Sequence, residues 1–472
     1  MKKLGLFCLT LCLITALMLQ VIPVFAEESG SNNTVLSGAH SLDGQVPFLG
    51  SDRLVTNVQS AIVYETKSQT LMYAFNADEQ VSPASFVKIL TALLVAERAN
   101  LSDAVVIKEA TLNTVADDAV SVDLLPDEVM TVEDLLYCMM VGSGNDAAAV
   151  LAEHISGSQS KFVEEMNQYA ANLGCTQTNF TNAHGLHDDM QYTTARDMAR
   201  ILAKAMENEI FSKVFGTVYY KVPATNLSEE RSLATGNFLM NNESVQIYHD
   251  SRVTGGRTAV TSTGYNSIAT SAEDNGMQLI CIVTGSLSVY KDDGYTVQTF
   301  GGYKETSMLL NSGFEGFEAK QVVYAGQSVA QYAVENGTSD VVVGATNSVY
   351  TVLPADAGID SLDYRLVKIA DTLTAPVEKG QVLSALEVWY GNICVAHIDL
   401  CAMNSVPVNA MQTDGIDSKS EGFPWKTVFT VVVCVFIGIG VILILIRSVN
   451  SVRRAAARSH SRKRRRSRRR SR

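Results

Sequence analysis

Between Leu54 and Phe75 apolar and polar positions alternate with the period of a strand. The runs Ser60-Ala61-Ile62-Val63-Tyr64 and Thr70-Leu71-Met72-Tyr73 predict two strands joined by a turn at Thr66-Lys67-Ser68. From Ser82-Pro83 onward the spacing becomes helical. Phe86, Ile89, Leu90, Ala92 and Leu93 form an apolar face, with Ser82 placed to cap the helix and Pro83 to open its first turn. Helical periodicity dominates Val132 to Ala171 and returns from Thr194 to Met206. Strand patterns resume between Gly264 and Val283, where Met277 to Val283 is the apolar run of a buried strand. Helices thus occupy the middle of this region and strands both ends, which predicts an α/β or α+β layer protein. Beyond Phe314 the texture changes. Short runs (Val341-Val342-Val343, Val349 to Leu353, Ala385 to Trp389) alternate with turn signals through Val408, the pattern of a small all-β domain.

Two apolar stretches fit neither domain. Lys2 and Lys3 precede an apolar run from Leu4 to Val21, and Val24-Phe25-Ala26 supplies a small-residue cleavage pattern. Residues 1–26 therefore read as an export signal, with Glu27 as the mature start. Cys8 and Cys12 lie inside the run rather than after it, which argues against a lipoprotein anchor. The second stretch, Val428 to Ile446, carries no charge and suits a spanning helix, since about 20 residues cross a bilayer core. Trp425 and Lys426 fall at interface depth, and the basic residues from Arg447 onward mark the cytoplasmic side. The predicted plan is a signal (1–26), a flexible Ser/Asn/Gly-rich lead (27–50), a main domain (51–316) and a β-rich domain (317–410). A polar linker (411–425), a transmembrane helix (426–447) and a basic cytoplasmic tail (448–472) complete it. The expected location is a single-pass cell-membrane protein with its globular part outside.

This plan changes how the charge is read. The formal −12 includes 13 basic residues from Arg447 onward; setting these aside with Lys2, Lys3 and Lys426 leaves 21 of 37 Lys and Arg against all 49 acids. The exported portion then carries about −28, which excludes nucleic acid and anionic lipid as its partners. The basic tail suits topology and contact with anionic headgroups. Of eight cysteines, five lie in the exported portion: Cys138, Cys175, Cys281, Cys394 and Cys401. An odd, scattered set is no disulfide framework. They read as small buried apolar residues, with Cys394 and Cys401 alone close enough in sequence to suggest a bridge.

Three Ser-x-x-Lys matches occur: Ser85 with Lys88, Ser158 with Lys161, and Ser288 with Lys291. Context separates them. Ser85 and Lys88 lie three apart on one helical face, so their side chains meet. Ser85 also falls in a first turn, where backbone N–H groups favour developing negative charge. Ser158 and Ser288 sit in segments that read as solvated loops. A serine hydroxyl is a weak nucleophile that needs an adjacent base. Lysine serves as that base only when burial or neighbouring cations depress its pKa.

The segments Val81 to Thr91, Ser143-Gly144-Asn145-Asp146-Ala147-Ala148, Phe180 to Leu186 and Tyr192 to Ala199 together resemble the low-molecular-mass penicillin-binding proteins, the D-alanyl-D-alanine carboxypeptidases. Thr374 to Gln381 resembles their β-rich C-terminal domain. The likeness spans about residue 50 to 405. It implies the penicillin-binding/serine β-lactamase-like fold, with an antiparallel sheet flanked by helices and a helical subdomain, all within a catalytic domain at 51–316. It further implies an acyl-enzyme on Ser85, Lys88 as general base, Ser143 as proton relay and Asn145 as the residue orienting Lys88 and substrate. The partners implied are stem peptides ending in D-Ala-D-Ala and β-lactams, with neither cofactor nor metal.

Where the family shows Lys-Thr-Gly, this chain reads Arg257-Thr258-Ala259. Arg257 would hold the substrate carboxylate bidentately. Thr258 would keep the hydroxyl, and the Val260 N–H would complete an oxyanion hole with that of Ser85. Glycine at this position lets the strand run close to the serine helix, so the Ala259 methyl would displace the Val260 N–H. Val87 also replaces the usual threonine before the lysine. His184, His187, Asp188 and Asp189 have the look of a metal cluster but read as a structural loop, and Glu164 with Glu165 as a solvated helix face rather than a deacylating pair. Two alternatives stand beside the carboxypeptidase: a catalytically weakened relative that binds stem peptides or wall partners, and a β-lactamase.

Overall fold

The computed structural model describes Leu42, residues 47–49, and residues 54–409 apart from 244, 293–296, 369 and 371. The expected export signal, the linker and the stretch 428–446 lie outside the described residues. Among those described, no helix is long and apolar enough to cross a membrane.

The two predicted N-terminal strands are β1 (Ser60–Glu65) and β2 (Thr70–Phe75), joined across residues 66–69. The strands predicted near the end of the region are β3 (Val253–Val260), β4 (Asn266–Asp274) and β5 (Met277–Ser286). They form one antiparallel sheet in the order β2-β1-β5-β4-β3. Nearly every position of β5 is buried, which is what its continuous apolar run requires of a central strand. β3 lies at the edge.

Helices cover this sheet. α1 (Val87–Arg98) is buried along ten successive residues, Val87 to Ala96, so it runs through the core rather than over it. Truncating Leu90 or Leu93 there would cost about 2–5 kcal/mol. α2 (Val132–Met140), α3 (Asn145–Ser156) and α4 (Gln159–Asn172) form a helical group between strand segments. α5 (Ala195–Met206), α6 (Glu209–Phe215) and α7 (Tyr303–Glu315) complete the layers. Several starts are set by side-chain caps: Thr131 accepts from the Asp134 amide, Thr194 from Asp197, and Asn208 from Ile210 and Phe211. Ser158, read from sequence as a loop residue, is instead the cap of α4, accepting from the Lys161 amide. Ser288 accepts from the Gly301 amide and has no helix after it.

The C-terminal region is all β. β6 (Phe317–Val323) pairs with β9 (Val349–Pro354). β7 (Ser328–Tyr332), β8 (Val341–Gly344), β10 (Leu362–Lys368), β11 (Val382–Tyr390) and β12 (Ile393–Ala402) form a second five-stranded sheet in the order β7-β8-β12-β11-β10. Its core holds Val341, Val343, Leu386, Val388, Ile398 and Leu400. Phe48 reaches both cores. The amides of Phe48 and Leu49 donate to Leu71 and Met72 on β2, and its ring lies 5.5 Å from Phe317 and 6.1 Å from Tyr390. The suggested Cys394–Cys401 bridge is absent, and both thiols are free. They stand seven residues apart on one strand, about 23 Å at roughly 3.3 Å per residue, far beyond disulfide reach. Among the described residues, 336–338 and 407–409 form a separate unit, in which Gly337 pairs with Val408.

Candidate active site

Ser85 is not where a cap at Ser82 would put it. Residues Ala84–Phe86 form a single 3-10 turn capped by Pro83 without any side-chain hydrogen bond, and α1 starts only at Val87. Pro83 adopts helical angles, so Ser82 lies one residue outside the helix and caps nothing. Ala84 sits at φ +40, a conformation that costs an L-residue about 1–2 kcal/mol. Phe86 and Val87 keep helical angles, so Ser85 in this turn and Lys88 in the first turn of α1 remain i, i+3 neighbours. Ser85 is half-buried at the surface end of α1.

Lys88 is the side chain that defines the site. It is 1% exposed, and its Nζ donates to Asn145 Oδ1 and to the His184 carbonyl, both at 2.6 Å. Both acceptors are neutral. Burial, aided by the nearby Arg257 charge and opposed by Asp146, holds the amine well below the ordinary lysine range. The His184 ring is itself pushed down to about 4 by burial and by Lys88, so it stays neutral at pH 7.

Asn145 opens α3, and its neighbour Asp146 anchors the facing segment. The Asp146 carboxylate accepts from Ser121 Oγ (2.6 Å) and from the amides of Val122 (3.1 Å) and Leu124 (3.2 Å). The Asn145 amide in turn donates to the Val120 carbonyl at 2.9 Å. Ser143 precedes α3 at φ +62, a second strained residue of the kind that collects at working sites.

Arg257 crosses from β3 to meet this group. It is 6% exposed; one arm donates to the Met140 carbonyl at 2.7 Å, at the end of α2, and the other to Ser143 Oγ at 2.6 Å. Its Nε is buried without a hydrogen-bond partner, and burial pushes the guanidinium down to about 10. Both arms are thus committed within the protein rather than left open as a bidentate fork. Thr258 is half-buried and Val260 is 59% exposed. Ala259 is 3% exposed, its methyl belonging to the main core with Ala84, Phe86 and Val87. β3 keeps regular pairing through this point, Ala259 opposite Ser267 and Val260 opposite Asn266.

The structure therefore brings Lys88 to Asn145 and the His184 carbonyl, and Arg257 to Ser143 and the Met140 carbonyl; Ser85 stands three residues before Lys88, and Thr258 and Val260 follow Arg257 on the same edge strand. The sequence reading missed the His184 and Met140 carbonyls, which carry no side-chain signature, and Asp146, visible only as part of a motif. It also missed Gly185, at φ +88, where a Cβ would stand 1.9 Å from the Ala84 carbonyl oxygen. Glu165 lies apart, paired with Arg98 and accepting from Ser156. Among the described residues no group of three His, Cys, Asp or Glu is placed to hold a metal, and His187 pairs with Asp189 at 3.2 Å.

A family model described as D-alanyl-D-alanine carboxypeptidase matches residues 51–288, and one described as the penicillin-binding protein 5 C-terminal domain matches 317–408. The D-alanyl-D-alanine carboxypeptidase DacA of Haemophilus influenzae is 32% identical over 362 residues, 74% of this chain and 85% of that protein. DacF of Bacillus subtilis is 28% identical over 342 residues, 71% of this chain and 82% of that protein. The crystal structure of penicillin-binding protein 5 from Haemophilus influenzae matches with a TM-score of 0.63 at 28% identity, covering 75% of this chain and 98% of its own. This chain belongs to the D-alanyl-D-alanine carboxypeptidase family of low-molecular-mass penicillin-binding proteins, with their α/β fold and all-β C-terminal domain.

Proposed function

We propose that the chain is a serine-type D-Ala-D-Ala carboxypeptidase that removes the terminal D-alanine of peptidoglycan stem peptides through an acyl-enzyme on Ser85. The carrying observation is Lys88: a buried amine three residues after Ser85, held on two neutral oxygens. Both partners are neutral oxygens and burial lowers the amine's pKa, which suits it to take the Ser85 proton. Ser85 Oγ attacks the carbonyl between the two D-alanines while its proton passes to Lys88 Nζ. The amides of Ser85 and Val260 receive the oxyanion. The C–N bond then breaks, and Ser143 relays a proton to the departing D-alanine amine. Water hydrolyses the ester by the same route in reverse, restoring Ser85. Asn145 orients Lys88 and the substrate amide, and Thr258, with the Arg257 charge behind it, receives the terminal carboxylate. A β-lactam acylates the same serine and departs slowly.

The sequence plan supports an exported enzyme anchored by residues 426–447, with the catalytic domain at 51–316 outside the membrane and the basic tail within. The test is direct. Labelled penicillin should mark Ser85, and a D-Ala-D-Ala peptide should release D-alanine, with both signals lost in Ser85→Ala. Folded wild-type protein giving neither signal would sink the enzyme reading. The weakened binding relative, which the internal commitment of both Arg257 arms favours, would then stand.

A further inference from the structure

Two successive carbonyls of one loop point into the same helix. Ala183 O accepts from Thr91 Oγ1 at 2.7 Å, and His184 O accepts from Lys88 Nζ at 2.6 Å, donors that lie three apart on α1. Neighbouring carbonyls diverge in extended chain, so the backbone must turn sharply here. A side chain makes it turn. Asn182 Oδ1 gathers the amides of Gly185 (2.6 Å) and His184 (3.3 Å), while its Nδ2 donates to the Leu186 carbonyl at 3.0 Å. This is an Asx-type turn tied at both ends. His184 Nδ1 accepts from the Leu186 amide at 3.2 Å and closes the loop on itself.

The consequence lies at Lys88. A neutral amine has two N–H groups and one lone pair. With Asn145 Oδ1 and His184 O taking both N–H groups of a neutral amine, the lone pair is what is left to serve Ser85, three residues earlier in the chain. Losing either acceptor would let the amine rotate and present an N–H instead.

We propose that Asn182 is a positioning residue of the acyl-transfer site: by gathering the His184 and Gly185 amides it aims the His184 carbonyl at Lys88 and so fixes the direction of the lysine lone pair. This rests on the reading of Ser85 as nucleophile and Lys88 as base. Asn182 itself touches neither.

The test compares Asn182→Ala and Asn182→Ser with Asn208→Ala in the full chain. Asn208 makes the same double amide contact at the start of α6, and so reports the general cost of losing such a turn. Penicillin acylation is resolved into its binding constant and its rate constant. Asn182→Ala should lower the rate constant about ten- to hundredfold, with binding changed less than about threefold. Asn182→Ser, whose shorter hydroxyl serves one amide, should fall between, and Asn208→Ala should acylate at the wild-type rate. Equal losses at the two asparagines, or a wild-type rate in Asn182→Ala, would overturn the proposal. If Asn182→Ala does not fold, a wild-type rate in Asn182→Ser overturns it as well. A second readout does not depend on catalysis. The 13C titration of Lys88 should move toward the ordinary lysine range in the Asn182 variants, as water reaches the amine; an unmoved titration refutes the role. A wild-type chain that is never acylated rejects the acyl-enzyme reading alone, because the titration still decides the part of Asn182.

Discussion

Replacing Gly185 by alanine asks how closely the nucleophile's turn is built. An added Cβ would stand 1.9 Å from the Ala84 carbonyl oxygen, 2.5 Å from its carbon and 3.0 Å from the Ser85 nitrogen. Carbon and oxygen approach no nearer than about 3.3 Å even in favourable contacts, so the turn must retreat by roughly 1.4 Å. A displacement of about 1 Å at reacting atoms costs about a hundredfold in rate, or roughly 2.7 kcal/mol of transition-state stabilisation. Stability falls as well. The φ of +88 costs an alanine about 1–2 kcal/mol, and overpacking adds about 1–3 kcal/mol. Gly157→Ala is the matched control, because Gly157 has φ +79 and nothing within 4 Å of its added Cβ. It should lose only the conformational part, with unchanged acylation. Stopped-flow acylation by a fluorescent penicillin, read beside thermal denaturation, separates the two. Similar acylation by both variants would refute the idea that Gly185 sets the Ser85 turn.

Three further outcomes follow from the same geometry. Lys88→Met should abolish acylation, and it should also change how stability depends on pH. Burial, then Arg257, depresses the folded value of Lys88. Its stability contribution is therefore complete above the unfolded lysine value of about 10.4 and is lost as pH falls toward the folded one. Wild-type Tm minus variant Tm should decline from pH 10 to pH 7, and a flat difference contradicts it. Ala259→Gly should cost about 1–2 kcal/mol, from one buried methyl and added backbone freedom, with acylation changed less than about threefold. A tenfold gain in rate would instead mean that the methyl holds β3 away from the serine turn. Arg257→Lys keeps the charge but leaves the Met140 carbonyl or Ser143 Oγ without its donor. Peptide hydrolysis should drop about tenfold, consistent with one unpaired buried group, and an unchanged kcat/KM would exclude a role for the second arm.

The sheet was legible because its central strand is apolar at nearly every position, and α5 because Thr194 precedes a clean helical period. Lys88 with Asn145, and Ser143 with Arg257, were named from sequence through the segments that carry the family resemblance, and the structure places each pair in contact. The backbone members were not. His184 is read from sequence as an imidazole, yet it is the carbonyl that meets Lys88. Ser82 has the composition of a cap, but Pro83 adopts helical angles and Ala84 takes a positive φ, and no local preference announces that pair. Cys394 and Cys401 look close in sequence only because a strand's length is hidden in it. Arg257 was legible as a cation; its commitment to Met140 and Ser143 depends on where α2 happens to end.

The order of strands in the main sheet has a kinetic consequence. β1 lies beside β5, so Tyr64 pairs with Ile280 across more than two hundred residues of chain. Pairings this remote form slowly, because the loop between them must first be closed. A polypeptide delivered N-terminus first holds Ser85 and Lys88 long before it holds Arg257. Until the stretch through Ser286 has emerged, the sheet lacks its middle and the serine has no facing edge. A nascent chain halted before that point should bear its nucleophile and yet take no penicillin.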